Sequence, residues 1–316
     1  MRILHITNNY PTDKLPIFGI FVKEQIESLV LHGISNDVMF INGRENGKLE
    51  YIRAVFRIRR NLSKENYDII HCHHALSSLC LILSGKSKEN RVVVSFQNDP
   101  IHELGKVVFQ FIKSNTNAWI FKNNSKLITD EYSFYLPNGV NTKLFKPMDR
   151  DNARHFLGLN KETIYILFVS SNLIRRQKRY DRFTETLKIL KEKYNYNNIK
   201  ELRLINTSRE KIPYYFSAVD LHLLTSDFEG SPNSVKESLA CNTPVVSTNV
   251  GNVEEILRGL DNNYVAKNNS AEELAFLVNL VLKGKKINSA DHLIKLKLDM
   301  KSVAEQLTNI YKKISK

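Results

Sequence analysis

Apolar residues along this chain gather into short runs, and most of those runs are separated by longer stretches whose apolar positions recur three and four apart. RILHIT predicts a buried strand, and FGIFVKEQIESLVLHG predicts an amphipathic helix closed by Gly33. DVMFI, YDIIHCHH and RVVVSFQ predict further strands, and KLIT a short one. LEYIRAVFRIRRNL, ALSSLCLILSG and residues 101–113 predict the intervening helices. The alternation then restarts. IYILFVSS, ELRLINT, VDLHLLTS and PVVSTNV predict strands, with helices over 180–193, 213–217, PNSVKESLAC and NVEEILRG. Two last helices are expected over 270–284 and 289–314. Strands alternating with crossover helices mean parallel sheets.

Between the halves lies YLPNGVNTKLFKPMDRDNARHFLGLNKE, a polar connector marked by Pro and Gly. The expected division is one doubly wound domain over 1–148 and a second over 149–298. A C-terminal helix, 299–316, would cross back to the first domain. Two such domains would face each other across a cleft at the carboxyl ends of their strands, where open α/β sheets bind ligands.

Composition narrows the class. The 316 residues are 42% hydrophobic, which is globular, and the three cysteines, Cys72, Cys80 and Cys241, form no CxxC pair. A disulfide framework is excluded, and a reduced cytoplasmic compartment fits. No apolar run is long enough to span a bilayer, and the first residues turn polar too soon for a signal peptide. The expectation is a cytoplasmic protein, with peripheral attachment at the inner face of the cytoplasmic membrane as a further possibility raised by its charge.

That charge is +13, from 46 Lys and Arg against 33 Asp and Glu. It is local. Residues 44–64 carry seven basic residues against two acidic, 175–182 five against one, and 283–316 nine against three. A polyanionic partner is implied: nucleic acid, an anionic membrane or a phosphorylated substrate. In the first stretch, Leu49, Ile52, Val55, Phe56 and Leu62 recur at helical spacing, with Arg53, Arg57 and Arg60 assigned to the other side. Such a helix suits an anionic membrane surface, or packs its apolar face on its own domain.

The most specific chemistry lies in DFEGSPNSVKESLACNTPVVSTNVGN, directly after a predicted buried strand. Ser231 reads as a helix N-cap and Pro232 as the first helical residue, which would leave the amides of Gly230, Ser231, Asn233, Ser234 and Val235 free for an anion. Glu229 precedes the helix and Glu237 follows eight positions later. Each carboxylate can accept two hydroxyl hydrogen bonds. Diol acceptor, anion site and second diol acceptor match the order sugar, diphosphate, ribose.

EGSPNSVKESLACNTPVVST resembles the donor-site signature of retaining glycosyltransferases of the GT-B fold, specifically glycosyltransferase family 4, or group 1. LPNGVNTKLFKP resembles that family's linker, with Asn141 where Asp is usual, and NNYPTDKLPIFGIFVKEQIESL its first loop and helix. YDIIHCHHALS resembles its strand ending in His-x-His. The resemblance implies two Rossmann-like domains and transfer from a nucleotide diphosphate sugar to a lipid-linked or polysaccharide acceptor, as in capsule or O-antigen synthesis. It implies that Glu229 holds donor-sugar hydroxyls, that the amides at Gly230, Ser231 and Asn233 bind the sugar and diphosphate, and that Glu237 binds the ribose. It also implies that Lys178 meets the leaving phosphate, so that no metal or other cofactor is expected.

Two positions depart from the family pattern. The residue six before Lys178, usually Arg, is Asn172, and Arg175, Arg176 or Arg179 is left to supply the charge. The family's His-Gly-x-Asp element reads Gln97, Asn98, Asp99 and Pro100. Gln97 cannot act as a base, so Asp99 becomes the candidate beside Lys178 and Glu229, with His73, His74, Gln97 and Asn98 on the acceptor side. Alternation puts His71 and His73 on one face and His74 on the other, where acceptor lining, packing and metal binding all remain open. Gly19 reads either as an approach of backbone to the donor or as a turn before the helix. Competing functions are a GT-B epimerase acting on a nucleotide sugar, a transferase-like partner subunit, and a basic binding protein. Nucleic acid is not expected, because no RNA- or DNA-binding motif appears.

Overall fold

The computed structural model describes residues 1–170, 174–285 and 288–315. The chain forms two compact units, Met1–Gly139 with Met300–Lys316, and Val140–Asp299. The first contains β1 (Arg2–Thr7), α1 (Ile20–Val30), β2 (Ser35–Phe40), α2 (Gly43–Asn46), α3 (Leu49–Leu62), β3 (Ile69–Cys72), α4 (Ala75–Leu83), β4 (Val92–Phe96), α5 (Pro100–Leu104), α6 (Lys106–Ser114), β5 (Ala118–Phe121) and β6 (Ser133–Tyr135). The second contains α7 (Arg150–Phe156), β7 (Ile164–Val169), α8 (Tyr180–Tyr194), β8 (Ile199–Leu204), α9 (Ile212–Ala218), β9 (Leu221–Leu224), α10 (Asn233–Ala240), β10 (Val245–Ser247), α11 (Val253–Leu257), β11 (Tyr264–Val265), α12 (Ala271–Lys283) and α13 (Ala290–Lys295). The last helix, α14 (Met300–Ser315), belongs to the first unit.

Both sheets are parallel, in the orders β2-β1-β3-β4-β5-β6 and β11-β10-β9-β7-β8. Every residue of β3, β4 and β5 is buried, as a parallel strand covered on both faces requires. In the first unit, α3, α4 and α6 cover one face through Ala54, Ile58, Leu81, Phe109 and Ile112. The opposite face is closed by Leu29 of α1 and by Val303, Ala304, Leu307, Ile310 and Tyr311 of α14, packed on Ile3, Ile69, Val93 and Ile120. In the second unit, α8 and α12 pack Phe183, Leu187, Leu274 and Val278 on Ile166, Leu221 and Val246. Its buried Arg154 ties α7 to the sheet. Nε donates to the Ala218 carbonyl at 2.8 Å, and Nη2 pairs with Asp220 at 2.8 Å. Asp220 also accepts the Tyr165 amide.

Several expectations are corrected. KLIT is not a strand; the edge of the first sheet is built from AWIF and SFY, which are too short for a periodic signal. The helix expected over 101–113 breaks into α5 and α6 at Gly105, whose φ of 81° no helix accommodates. The helix expected over 289–314 likewise breaks, with Lys297 at φ 56° between α13 and α14. The connector contains α7, and the units divide at Gly139/Val140 and Asp299/Met300, not at 148 and 298. The chain crosses between units at one spot: the Val140 amide bonds to the Leu298 carbonyl at 2.9 Å, and Gly139 lies so close to Met300 that a Cβ would stand 2.9 Å from its Cα.

The basic helix is also reoriented. Its core stripe is Ala54, Ile58 and Leu62, with Tyr51 and Val55 beside it. Leu49, Ile52 and Phe56 are exposed, on the same side as Arg53 and Arg60. Arg57 is held by Glu50 at 2.9 Å and by the Phe40 carbonyl. A stripe of five large residues on one side was the sequence expectation, but the small Ala54 is what lets the helix approach the sheet.

Candidate functional site

In the second unit, the loop 225–232 leaves the carboxyl end of the buried β9 and enters α10. Its residues 225–229 are stitched to the basic turn 175–179. The Asp227 amide bonds to the Gln177 carbonyl at 2.9 Å, Gln177 Nε2 donates to the Phe228 carbonyl at 2.6 Å, and Thr225 Oγ1 donates to the Lys178 carbonyl at 2.8 Å. These bonds bring Lys178 Nζ to 2.7 Å from Glu229 Oε1, which also accepts from Ser226 Oγ at 2.8 Å. Both charged side chains are 14% exposed. They are therefore sheltered enough for their charges to act strongly, yet open to a ligand.

The start of α10 differs by one residue from the expected cap. Pro232 occupies the N-cap position, Asn233 is the first helical residue, and Ser231 does not cap. Ser231 Oγ instead accepts from the fully buried Lys236 Nζ at 2.9 Å, which pins the loop from beneath. The first-turn amides of Asn233, Ser234 and Val235 lack carbonyl partners within the helix, as at any helix start. Asn233 Oδ1 is buried with no hydrogen-bond partner. One turn further, Glu237 Oε1 accepts from Arg209 Nη1 at 2.6 Å, and both side chains are nearly buried. The Arg209 guanidinium lies over the ring of Phe145, 4.5 Å from its centroid.

Of the arginines left to supply charge near Lys178, Arg179 is engaged by Asp181 at 2.8 Å and Asp227 at 3.1 Å. Arg175 reaches Gln177, and Arg176 is exposed. Asn172 lies outside the described residues.

Two contributors escaped sequence reasoning. Arg209 follows β8 and carries no motif. Gly251 follows β10 at φ 55°, and a Cβ there would stand 2.3 Å from the Gly230 carbonyl oxygen and 2.9 Å from that of Glu229. The only available signal was the glycine itself, in a chain with just 12. Gly251→Ala should displace the 229–230 loop and cost about 1–3 kcal/mol. Thermal denaturation reads this, and unchanged stability would mean that the loop yields freely.

The acceptor-side candidates sit in the first unit, at the carboxyl edge of its sheet, and each has a structural partner. Asp99 caps α5, with Oδ1 accepting from the Ile101 and His102 amides. Asn98 donates to Glu103 Oε1 at 2.6 Å, and Gln97 Oε1 accepts from Asn138 Nδ2 at 3.2 Å. His74 Nδ1 caps α4 at the Leu76 amide. Gly19, at φ 68°, packs on the Asn9–Tyr10 backbone, where a Cβ would stand 2.2 Å from the Asn9 carbonyl carbon.

His73 is 1% exposed and belongs to a buried group with His71 and His5. His5 Nε2 meets Asn36 Oδ1 at 2.8 Å, so Nε2 carries the proton and Nδ1 accepts from His73 Nε2 at 2.8 Å. His73 Nδ1 is left with no partner. His71 bridges Tyr311 Oη at 2.6 Å and Ser95 Oγ at 2.8 Å. Burial pushes His5 down to about 4, and His71 and His73 well below the ordinary imidazole range. The nearby buried Lys122 is pushed down to about 7 by the same desolvation. His5 was not singled out from the sequence, since a lone histidine in a strand carries no spacing signal.

Two parallel α/β units, one carrying this loop–helix site, define a GT-B architecture. A family profile described as glycosyl transferases group 1 matches residues 193–297, and one described as glycosyl transferase 4-like matches residues 21–131. The chain belongs to the group 1, family 4-like glycosyltransferases. It is 23% identical over 242 residues to the UDP-Gal:alpha-D-GlcNAc-diphosphoundecaprenol alpha-1,3-galactosyltransferase of Escherichia coli, a match spanning 63% of this chain and 62% of that one. Its fold resembles sucrose-phosphate synthase from Thermosynechococcus elongatus (TM-score 0.79, 16% identity, 99% of both chains). It also resembles Anabaena HepE in complex with UDP-glucose (TM-score 0.70, 15% identity, 99% of this chain and 100% of that one).

Proposed function

We propose that this protein transfers a sugar, with retention of configuration, from a nucleotide diphosphate sugar to a lipid-linked or polysaccharide acceptor in the synthesis of a cell-envelope glycan. The observation that carries the reading is the Lys178–Glu229 pair, 2.7 Å apart, at the entrance to α10, with Glu237 held by Arg209 one turn along that helix. A carboxylate, a row of helix-start amides, a lysine and a second carboxylate are the groups that a sugar, a diphosphate and a ribose require, in that order.

In this reading Glu229 accepts hydroxyls of the donor sugar, and the amides of Gly230, Ser231, Asn233, Ser234 and Val235 take the diphosphate. Glu237 presents its second oxygen to the ribose diol. The bond from the anomeric carbon to the diphosphate oxygen breaks as the acceptor oxygen attacks from the same face. The acceptor proton passes to the departing phosphate. Negative charge grows on that phosphate, where Lys178 and the α10 start meet it, so the step calls for no metal ion. The Escherichia coli relative, named for a UDP-galactose donor and a diphosphoundecaprenol-linked acceptor, supports the choice of acceptor class.

A thermal-shift screen of UDP-, GDP- and ADP-sugars tests the donor half. One nucleotide class at about 100 times its Kd should stabilise the protein by about 2.7 kcal/mol. Glu237→Ala should abolish that shift. Absence of a shift with every nucleotide sugar would overturn the reading.

A further inference from the structure

We propose that the buried Lys236 is a positioning residue for the donor diphosphate, acting through the Ser231 hydroxyl, which binds the phosphate nearer the sugar. The inference deepens the transferase reading and rests on it for the identity of the ligand. The relay itself is built from side chains of the second unit alone.

Lys236 lies on α10 between Val235 and Glu237, and it is fully buried. Lysine is almost never fully buried without a polar role, because withdrawing an ammonium from water is costly. Packing does not call for it here. Val235 and Leu239 already fill the core beside it, and a methionine would occupy the same space as the lysine stem. Nζ donates to Ser231 Oγ at 2.9 Å, five positions back, where the loop enters the helix. Ser231 is itself 8% exposed. A hydroxyl has one hydrogen to give and two lone pairs to offer. One lone pair is taken by the ammonium, which repels the hydroxyl hydrogen to the side away from the core. Among the described residues that hydrogen finds no acceptor, so it is left for a ligand.

The same bond makes that hydrogen a stronger donor. A hydroxyl that accepts from a cation is polarised, and an anionic oxygen is the acceptor that gains most from this. Ser231 stands two residues after Glu229 and six before Glu237. In the order sugar, diphosphate, ribose, that places its hydroxyl at the phosphate bonded to the sugar, the one on which charge grows as the bond breaks. Lys178 meets this phosphate directly. Lys236 meets it through Ser231, from a position shielded from solvent and salt. A neutral side chain at 236 would shape the loop as well, but it would leave the Ser231 hydroxyl an ordinary donor.

Calorimetric titration of the full chain with UDP, GDP and ADP, and with the matching monophosphates, tests this. For the diphosphate that binds, Lys236→Met and Ser231→Ala should each weaken affinity about tenfold, the worth of one hydrogen bond to a charged group, while the monophosphate, which lacks the second phosphate, should lose less than about twofold. The double variant should lose about what either single variant loses, because the two side chains act as one relay. Lys236→Met exchanges a buried cation for an apolar stem of similar shape, a change that interiors tolerate. Urea unfolding checks this, and Ser231→Ala carries the test by itself if Lys236→Met does not fold. Equal losses for diphosphate and monophosphate would overturn the proposal, since a pin that merely shapes the loop serves both. So would undiminished diphosphate affinity in either variant, and so would additive losses in the double variant, which would make the two side chains independent. An unaltered chain that binds none of the three diphosphates would instead sink the transferase reading, and the proposal with it.

Discussion

Lys178→Ala should lower the rate of sugar transfer about 10²–10³-fold, the usual cost of removing one preorganised group that meets charge as it develops. The ammonium sits 2.7 Å from Glu229 in a turn whose backbone is fixed by Thr225 and Gln177, so it needs no reorganisation when the phosphate departs. Its removal leaves Glu229 still bonded to Ser226 at 2.8 Å, and the fold should survive. The loss should appear mainly in kcat, because a charge that grows in the transition state is felt more there than in the bound donor. Lys178→Arg should recover part of the rate, since charge but not geometry is kept. Glu229→Gln should chiefly weaken discrimination among donor sugars. Steady-state kinetics with the donor identified by thermal shift measures all three. A Lys178→Ala rate within a few-fold of the unaltered protein would remove Lys178 from the chemistry.

Stability should fall steeply as pH drops from 6.5 toward 4. His5, His71, His73 and, in the second unit, His222 are fully buried, and desolvation lowers all four, with His5 and His222 at about 4. Their folded pKa values lie below the unfolded value of about 6.5, so below that pH the unfolded chain binds protons that the folded chain refuses. The histidines' contribution is complete above pH 6.5 and is lost through this window. At pH 5 the loss is about 2 kcal/mol for His5 in the first unit and about the same for His222 in the second, with His71 and His73 acting in the same direction. Asp130, Asp151 and Asp181, whose pKa values are lowered by their basic partners, act only below the ordinary carboxylate range, so they leave this window to the histidines. Lys122, pushed to about 7, acts on the alkaline side, where stability should rise further toward pH 10. Urea unfolding at pH 7.5 and 5.5, followed by emission from Trp119 on β5, reads the first unit directly. An unchanged midpoint would show that the trio takes up protons while folded.

The legible part of the fold was the part that is periodic. Residues 2–7, 164–169 and 49–62 form the elements that their patterns predict. AWIF and SFY were missed because three or four residues hold too little pattern, and α7 because its seven residues sit in a polar stretch. In the candidate site, Glu229 and Glu237 were singled out by type and spacing and Lys178 by the family resemblance, and the structure places Lys178 against Glu229. Arg209 and Gly251 were not singled out, because each acts on a residue more than twenty positions away, where spacing carries no signal. The facing of α3 was misjudged for a related reason. Hydrophobicity alone favours Leu49, Ile52 and Phe56 for the core, but close packing on the sheet selects Ala54 and Ile58.

By itself the sequence determined the alternation of its strongly periodic strands and helices, the two parallel α/β halves and the presence of a loop leading into α10, because these follow from local periodicity and strand burial. Tertiary structure alone decided which charges meet. Lys178 and Glu229 are 51 residues apart and 2.7 Å distant, Arg209 and Glu237 are 28 apart and 2.6 Å distant, and α14 returns to close the first sheet. Electrostatic and packing forces act through space, and the chain's path through space is set only when the sheets have formed.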